Sequence, residues 1–223
     1  MHEASPAKLP RFAILGSGRG SNAMALMQAF RGDSLPAELA LVLSNVAGAP
    51  ILQRAAEHGV PARLVESAGL TRGEHEARML QALHDARIDH LLLAGYMRVL
   101  SADFIARWPG VILNIHPSLL PDFPGLSAVS AQWRAGVRVV GATVHFVDAG
   151  VDTGPPLLCG SIDVRGDEGE AGLAQRILTE VEHVIYPRAV YLLLHRLARG
   201  VALHAGPAMT ARSDVNSSQA HTS

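Results

Sequence analysis

The sequence predicts an α/β fold: a doubly wound, mostly parallel sheet flanked by helices, ending in a C-terminal hairpin and a long helix. Three observations carry this. Over roughly the first 115 residues, short continuous apolar runs alternate with longer amphipathic ones, as in strands buried on both faces and joined by crossover helices. The first apolar run leads through a glycine-rich turn straight into a helical stretch. After Pro124 the pattern changes to two longer extended segments and one long helical region.

Phe12–Leu15 reads as the first strand and Asn22–Phe30 as the helix after it. Leu39–Leu43 is the second strand, followed by a helix from about Ala49 to His58, and Ala62–Val65 is a short third. Arg72–Ala86 places Ala77, Leu80 and Leu83 at helical spacing. His90–Ala94 is the fourth strand, Ser101 is placed to cap a short helix to Arg107, and Val111–Ile115 is the fifth strand. Ala142–Val147 and Pro156–Val164 read as neighbours in a hairpin-like pair. Asp167 with Glu170 has the spacing of a capping box opening a helical region to Arg199, which Pro187 should interrupt near Tyr186. Right-handed crossovers put the C-terminal ends of parallel strands on one edge, so a Rossmann-like sheet of this kind should carry its ligand site there.

Composition narrows the function classes. The 223 residues are 48% hydrophobic, enough for a substantial core, and the net charge of −1 offers no broad basic surface for nucleic acid. Aromatic residues are 4%, which argues against a base-stacking platform. One cysteine, Cys159, excludes an internal disulfide framework or a cysteine-rich metal site and suits a core position. No run approaches the ~20 apolar residues of a membrane span, and Met1–Pro10 lacks the apolar stretch of a signal peptide, so the expected compartment is the cytoplasm. Residues 11–200 read as one domain, with 1–10 and 206–223 as disordered termini.

Two segments carry chemistry. Gly16-Ser-Gly-Arg-Gly-Ser-Asn22 stands between strand and helix, where backbone N–H groups and the helix dipole favour an anion such as a phosphate. It departs from the dinucleotide fingerprint: Ser21 holds the third glycine position, and Ser44-Asn45 ends the second strand without a ribose-binding acid. A nicotinamide site or a purely structural turn are the other readings. The second segment is Asn114-Ile-His-Pro-Ser-Leu-Leu-Pro121. Residues two apart on a strand share a face, so Asn114 and His116 project together at the ligand edge. Gly141–Pro155 adds His145 and Asp152, the latter in an Asp-x-Gly turn and a candidate base.

These motifs resemble the phosphoribosylglycinamide formyltransferases, folate-dependent enzymes of purine synthesis. The resemblance runs over about residues 11–200 and rests on Gly18-x-Gly-Ser-Asn22, Ala94-Gly-Tyr-Met-Arg-Val-Leu100, Asn114–Pro121, Gly141-x-Thr-Val-His-Phe-Val147, Asp152-x-Gly154 and Glu182-His-x-Ile-Tyr-Pro187. It implies attack of the amine of glycinamide ribonucleotide on the formyl carbon of 10-formyltetrahydrofolate, with no metal. Asn114 and protonated His116 would stabilise the oxygen of the tetrahedral intermediate, and Asp152 would hold His116 charged and help move the proton. By the same resemblance Gly20, Ser21 and Asn22 would hold the ribonucleotide phosphate, and the segment Thr179, Glu180, Val181 and Glu182 would hold its remainder, Glu182 at the sugar. Met97, Arg98, Val99, Leu100, Asn114, Asp148, Ala149, Gly150, Val151 and Asp152 would line the folate pocket, with Arg72 nearby.

The chain departs from the family at three places. Leu126-Ser-Ala-Val-Ser130 stands where a histidine-bearing segment is common, Ala149 where an acid is usual, and Thr143 where serine is more familiar. Rival readings are a formyltetrahydrofolate deformylase, a methionyl-tRNA formyltransferase and a non-catalytic nucleotide-binding module. The first carries a regulatory domain ahead of its core, and only about ten residues precede the first strand here. The second needs a further domain and basic surface for tRNA.

Overall fold

The computed structural model describes residues 8–32, 35–201 and 209–212. Its elements run β1 (Arg11–Leu15), α1 (Ser21–Arg31), β2 (Glu38–Ser44), α2 (Pro50–Glu57), β3 (Ala62–Leu64), α3 (Arg72–Asp85), β4 (His90–Leu93), α4 (Ala102–Arg107) and β5 (Ile112–His116). There follow α5 (Ala128–Ala135), β6 (Val139–Phe146), β7 (Pro156–Asp163), α6 (Gly169–Arg176), a π-helical turn (Ile177–Glu182), α7 (His183–Ala198) and β8 (Met209–Arg212).

The described strands form one sheet in the order β3-β2-β1-β4-β5-β6-β7-β8. The five from β3 to β5 are parallel; β6 is antiparallel to both β5 and β7, and β8 is parallel to β7. Strand order turns back between β1 and β4, which opens the crevice expected of a doubly wound sheet.

Each parallel strand is apolar on both faces because each face is covered. Phe12 and Ile14 of β1 join one core with Leu26 and Met27 of α1, Ile51 of α2 and Val190 and Leu193 of α7. Ala13 and Leu15, the alternate residues, join a second core with Met79 and Leu83 of α3 and Phe104 of α4. Helix starts follow local chemistry. Thr71 and Glu74 form a complete capping box at α3, and the Ser101 hydroxyl caps α4 by accepting from Phe104 N at 3.0 Å, as expected.

The structure departs from the sequence reading in four places. The Asp167–Glu170 capping box does not form: Glu168 occupies the N-cap of α6, its carboxylate taken by Arg165 N and by Arg176, while Glu170 accepts from the Ser130 hydroxyl. Pro187 does not interrupt the helix at Tyr186 but lies inside α7; the departure from α geometry is the π-helical turn immediately before that helix. An additional helix, α5, stands between two left-handed residues, Ser127 (φ 62°) and Gly136 (φ 63°). Within the terminal stretches expected to be disordered, Met209–Arg212 pairs with β7, and the Pro10 carbonyl accepts from Glu38 N. Residues 1–7, 206–208 and 213–223 of these stretches lie outside the described residues.

Tyr186 ties α7 to the middle of the sheet. Its ring is fully buried, and its hydroxyl reaches the carbonyls of Leu93 in β4 and Leu113 in β5, at 3.0 and 3.1 Å. Tyr186→Phe keeps the ring's packing and removes the donor, so both carbonyls lose their shared partner. A loss of about 1–3 kcal/mol in unfolding free energy is expected, read from a denaturant midpoint.

Candidate active site

Four segments meet at the C-terminal edge of the parallel strands: the turn after β1, Gly95–Leu100 after β4, the end of β5, and the loop between β6 and β7. Asn114 and His116 lie two apart on β5. The antiparallel register sets His145 directly opposite Asn114 and Thr143 opposite His116. The β6–β7 loop then brings Asp152 back over the strand ends in the left-handed region, φ 55°. Gly154 completes that turn, because a Cβ there would lie 1.8 Å from the Phe146 carbonyl oxygen.

The four side chains form one cluster, with His116 and His145 buried and Asn114 and Asp152 half-buried. His116 Nδ1 lies 3.2 Å from Asp152 Oδ2, and His145 Nε2 lies 3.5 Å from Asp152 Oδ1. The Asn114 amide nitrogen is 3.2 Å from His145 Nε2 and 3.5 Å from Asp152 Oδ1. Each imidazole is steered by a main-chain carbonyl: His116 Nε2 by Phe123 at 2.9 Å, and His145 Nδ1 by Phe146 at 2.9 Å. Both ring nitrogens of His116 thus face oxygen acceptors, an arrangement that the doubly protonated imidazolium satisfies in full. The exit strand is held just as closely. Thr143 Oγ1 donates to Ser118 O at 2.7 Å and accepts from Leu120 N at 3.0 Å, which gives a use for the hydroxyl at this position.

These residues head a cleft of about 410 Å³. Met97, Arg98, Val99 and Leu100 line one side, and Asp148, Gly150, Val151 and Asp152 another, with Leu126 between them and the cluster at its floor. Apolar groups stand unusually open at its mouth: Leu126 is 91% and Met97 72% exposed. Two expected residues are not part of the walls. Ala149 belongs to the loop without lining the cleft, and Arg72 is the first residue of α3. His145, which the sequence reading noted beside Asp152 without giving it a role, belongs to the cluster; only the β5–β6 register reveals that it faces Asn114.

The glycine-rich turn forms a second, adjoining region. Gly20 is left-handed (φ 73°) at the N-cap of α1, and a Cβ there would come within 2.7 Å of Ile51. Ser21 opens the helix, and the Asn22 amide donates to the Glu182 carboxylate at the end of the π-helical turn. Glu182 is buried, which pushes its carboxyl up, while the Asn22 bond pulls it down. Asn22 Oδ1 is buried without a hydrogen-bond partner. Of the other residues expected here, Thr179 is exposed and bonds back to Gln175 O, Glu180 pairs with Arg176 at 3.0 Å, and Val181 is in the core. Among the described residues, no group of three or more His, Cys, Asp or Glu side chains is arranged to hold a metal ion, and no helix is long and apolar enough to cross a membrane.

Asp152 is held ionised. The hydrogen bond from His145 is the largest influence; the Gly125 N–H at 2.9 Å and the charges of His116 and His145 act with it against burial, lowering the carboxyl from 3.8 to about 2. A depressed carboxyl stabilises the fold above its unfolded value and loses that contribution as the pH falls toward the folded one. The wild-type unfolding midpoint should therefore drop more steeply with acidification between about pH 4 and pH 2 than that of Asp152→Asn. Parallel slopes in a pH series of denaturant titrations would contradict this account of the cluster.

Known proteins resemble this chain in sequence and in fold. The sequence pattern of the formyl transferase family matches residues 10–190. Phosphoribosylglycinamide formyltransferase of Bacillus subtilis is 35% identical over 86% of this chain and 98% of its own length. The trifunctional purine biosynthetic protein adenosine-3 of Drosophila melanogaster is 42% identical over 84% of this chain, which spans only 14% of that protein. The structure of glycinamide ribonucleotide transformylase 1 from Symbiobacterium toebii superimposes with a TM-score of 0.80 at 40% identity, covering 84% of this chain and 88% of that one. For phosphoribosylglycinamide formyltransferase from Brucella melitensis the values are 0.79 and 39%, over 89% and 100%. With a family match spanning most of its length and a relative covered almost end to end, this chain belongs to the formyl transferase family.

Proposed function

We propose that this chain transfers the formyl group of 10-formyltetrahydrofolate to the amine of glycinamide ribonucleotide, giving formyl-glycinamide ribonucleotide and tetrahydrofolate in purine synthesis. The observation that carries the reading is one cluster, Asn114, His116, His145 and Asp152, placed between an apolar-mouthed cleft and a glycine turn at a helix start. Residues 11–200 are the domain we assign to it. The reaction joins two small molecules.

The cleft suits a flat, partly apolar donor: Met97, Val99, Val151 and Leu126 offer open apolar surface, and Arg98 a charge. The turn at Gly20, Ser21 and Asn22 suits the acceptor's phosphate, with Glu182 tied to it through Asn22. When the amine attacks the formyl carbon, charge gathers on the formyl oxygen, and the Asn114 amide and a His116 N–H are the donors beside it. Both are engaged within the protein in the arrangement described, the Asn114 amide with Asp152 Oδ1 and His116 Nε2 with the Phe123 carbonyl. They must turn from these partners toward the substrate oxygen. Asp152, ionised and paired with His116 at 3.2 Å, helps move the proton that the amine sheds toward the departing folate nitrogen.

The test is release of tetrahydrofolate from 10-formyltetrahydrofolate, with and without glycinamide ribonucleotide. Release that requires the ribonucleotide is the expected result; release without it would make the enzyme a hydrolase. Asn114→Ala should lower kcat about 100- to 1000-fold with little change in KM, as expected for a donor used mainly at the transition state.

A further inference from the structure

Ser17 lies in the glycine-rich turn, yet its side chain serves the opposite side of the site. Its hydroxyl donates to Asn45 Oδ1 at 2.6 Å and accepts the Met97 N–H at 2.9 Å. Its own backbone N–H donates to the Gly95 carbonyl at 3.0 Å. One residue therefore holds both Gly95 and Met97, the beginning of the segment that lines the cleft. The direction of the bonds is determined. Asn45 is buried, and its amide nitrogen donates to Ser67 Oγ at 3.2 Å, which leaves Oδ1 as the acceptor. The single Ser17 hydrogen goes to that oxygen, and the hydroxyl's lone pair is left for Met97. Asn45 is in turn locked by Ser67, whose N–H donates to the Asn45 carbonyl at 3.1 Å. A chain of hydrogen bonds thus runs from the loop after β3, through the end of β2 and the turn after β1, to the segment after β4. It also accounts for the residue at the end of β2: where a dinucleotide-binding fold would keep an acid for a ribose, this chain keeps an amide that faces inward and orients Ser17.

We propose that Ser17 is a positioning residue for the formyl donor, acting through the Met97–Leu100 wall, although it sits in the turn assigned to the acceptor's phosphate. The inference rests on the formyl-transfer reading above and deepens it. Removing the hydroxyl loosens the Gly95–Met97 corner without touching Gly20, Ser21, Asn22 or the Asn114–His116–Asp152 cluster. The loss falls on donor binding, equally in ground and transition states, so it enters KM for the donor and leaves kcat nearly unchanged.

The experiment compares Ser17→Ala, Ser17→Thr, Asn45→Ala and the Ser17→Ala/Asn45→Ala double variant as full chains, in ribonucleotide-dependent formyl transfer. Ser17→Ala should raise KM for 10-formyltetrahydrofolate about three- to tenfold, the usual weight of one such hydrogen bond, with kcat and KM for the ribonucleotide within about twofold. Ser17→Thr, which keeps the hydroxyl, should restore most of the loss. Asn45→Ala should shift the same constant in the same direction, and the double variant should be no worse than Ser17→Ala, since the two residues act in series. A change confined to kcat or to the ribonucleotide's KM, or no change at all, overturns the role given to Ser17. Inactivity of the wild type sinks the formyl-transfer reading instead. In that event, calorimetric titration with tetrahydrofolate decides for Ser17: weaker binding by Ser17→Ala supports it, and equal binding overturns it. Should Ser17→Ala fail to fold, Asn45→Ala alone carries the same donor-specific expectation and the same refutation.

Discussion

Because β6 runs antiparallel to β5, the last of five neighbouring parallel strands, the chemistry of two strands falls on one face. A parallel neighbour would have needed a crossover and would have presented its own C-terminal end beside that of β5. The antiparallel strand instead sets His145 against Asn114 and Thr143 against His116, and its return loop passes back across the strand ends. Asp152 is carried on that loop, in a backbone conformation that Gly154 permits by leaving room for the Phe146 carbonyl. The pairing thus fixes the histidine opposite Asn114, the hydroxyl that holds the exit after His116, and the path of the loop that bears the carboxylate.

The carboxylate in turn organises what surrounds it. A buried charge is costly unless its oxygens are filled, and each oxygen of Asp152 has donors from separate parts of the chain. Oδ2 meets His116 from β5 and the Gly125 N–H from the loop before α5; Oδ1 meets His145 from β6 and the Asn114 amide. The loop that bears Gly125 also supplies the Phe123 carbonyl to the far side of the His116 ring. One short loop therefore grips both members of the His116–Asp152 pair. Its own course is kept by the Ser118 hydroxyl, which donates to Asp122 O, and by Gln132, a buried side chain of α5 that donates to Pro117 O. The stretch from Leu126 to Ser130, where the chain departs from its family's common pattern, continues this loop into α5; Leu126, Ser127 and Ala128 line the cleft themselves, and the stretch is joined to the cluster through Gly125 and Phe123.

Much of this was legible in the sequence because it depends on short-range regularity. Continuous apolar runs announce doubly covered strands, and spacing by two put Asn114 and His116 on one face. Ser101 was recognisable as a cap since an N-cap depends on three or four neighbouring residues. The features that were hidden depend on partners far along the chain. Asp167 and Glu170 had the spacing of a capping box, but Arg176 and Ser130 compete for the local carboxylates and Glu168 takes the cap. Pro187 looked like a breaker, yet its helix is fastened to the sheet through Tyr186, whose two carbonyl partners lie 93 and 73 residues away. His145 could not be joined to Asn114 before the register of β5 and β6 was known. Met209–Arg212 is polar and small-residue in character, and it pairs through backbone bonds, which composition does not report.

The same distinction explains how, on the proposed reading, a single glycine-rich turn would serve two substrates. Its backbone, with Gly20 left-handed at the helix start, faces the region where Asn22 meets Glu182; its Ser17 side chain faces the segment after β4. β1 lies between β2 and β4, at the point where strand order reverses, so the turn leaving it borders both sides of the crevice. Main chain directed one way and side chain the other lets one loop hold two binding regions in register without a hinge between them. Asn45 and Ser67 extend that rigidity across the β2 side, and Glu76 completes it beyond Leu100 by accepting the Ser101 N–H at 2.8 Å from a buried position on α3. The Gly95–Leu100 segment is therefore fastened at both ends, to the turn after β1 and to α3, while the loop over the cluster rests on hydrogen bonds to His116 and Asp152, groups that the proposed reaction would redirect. On the proposed reading, rigidity is placed where the substrates would be held, and exchangeable bonds where the proton and the oxygen charge would move.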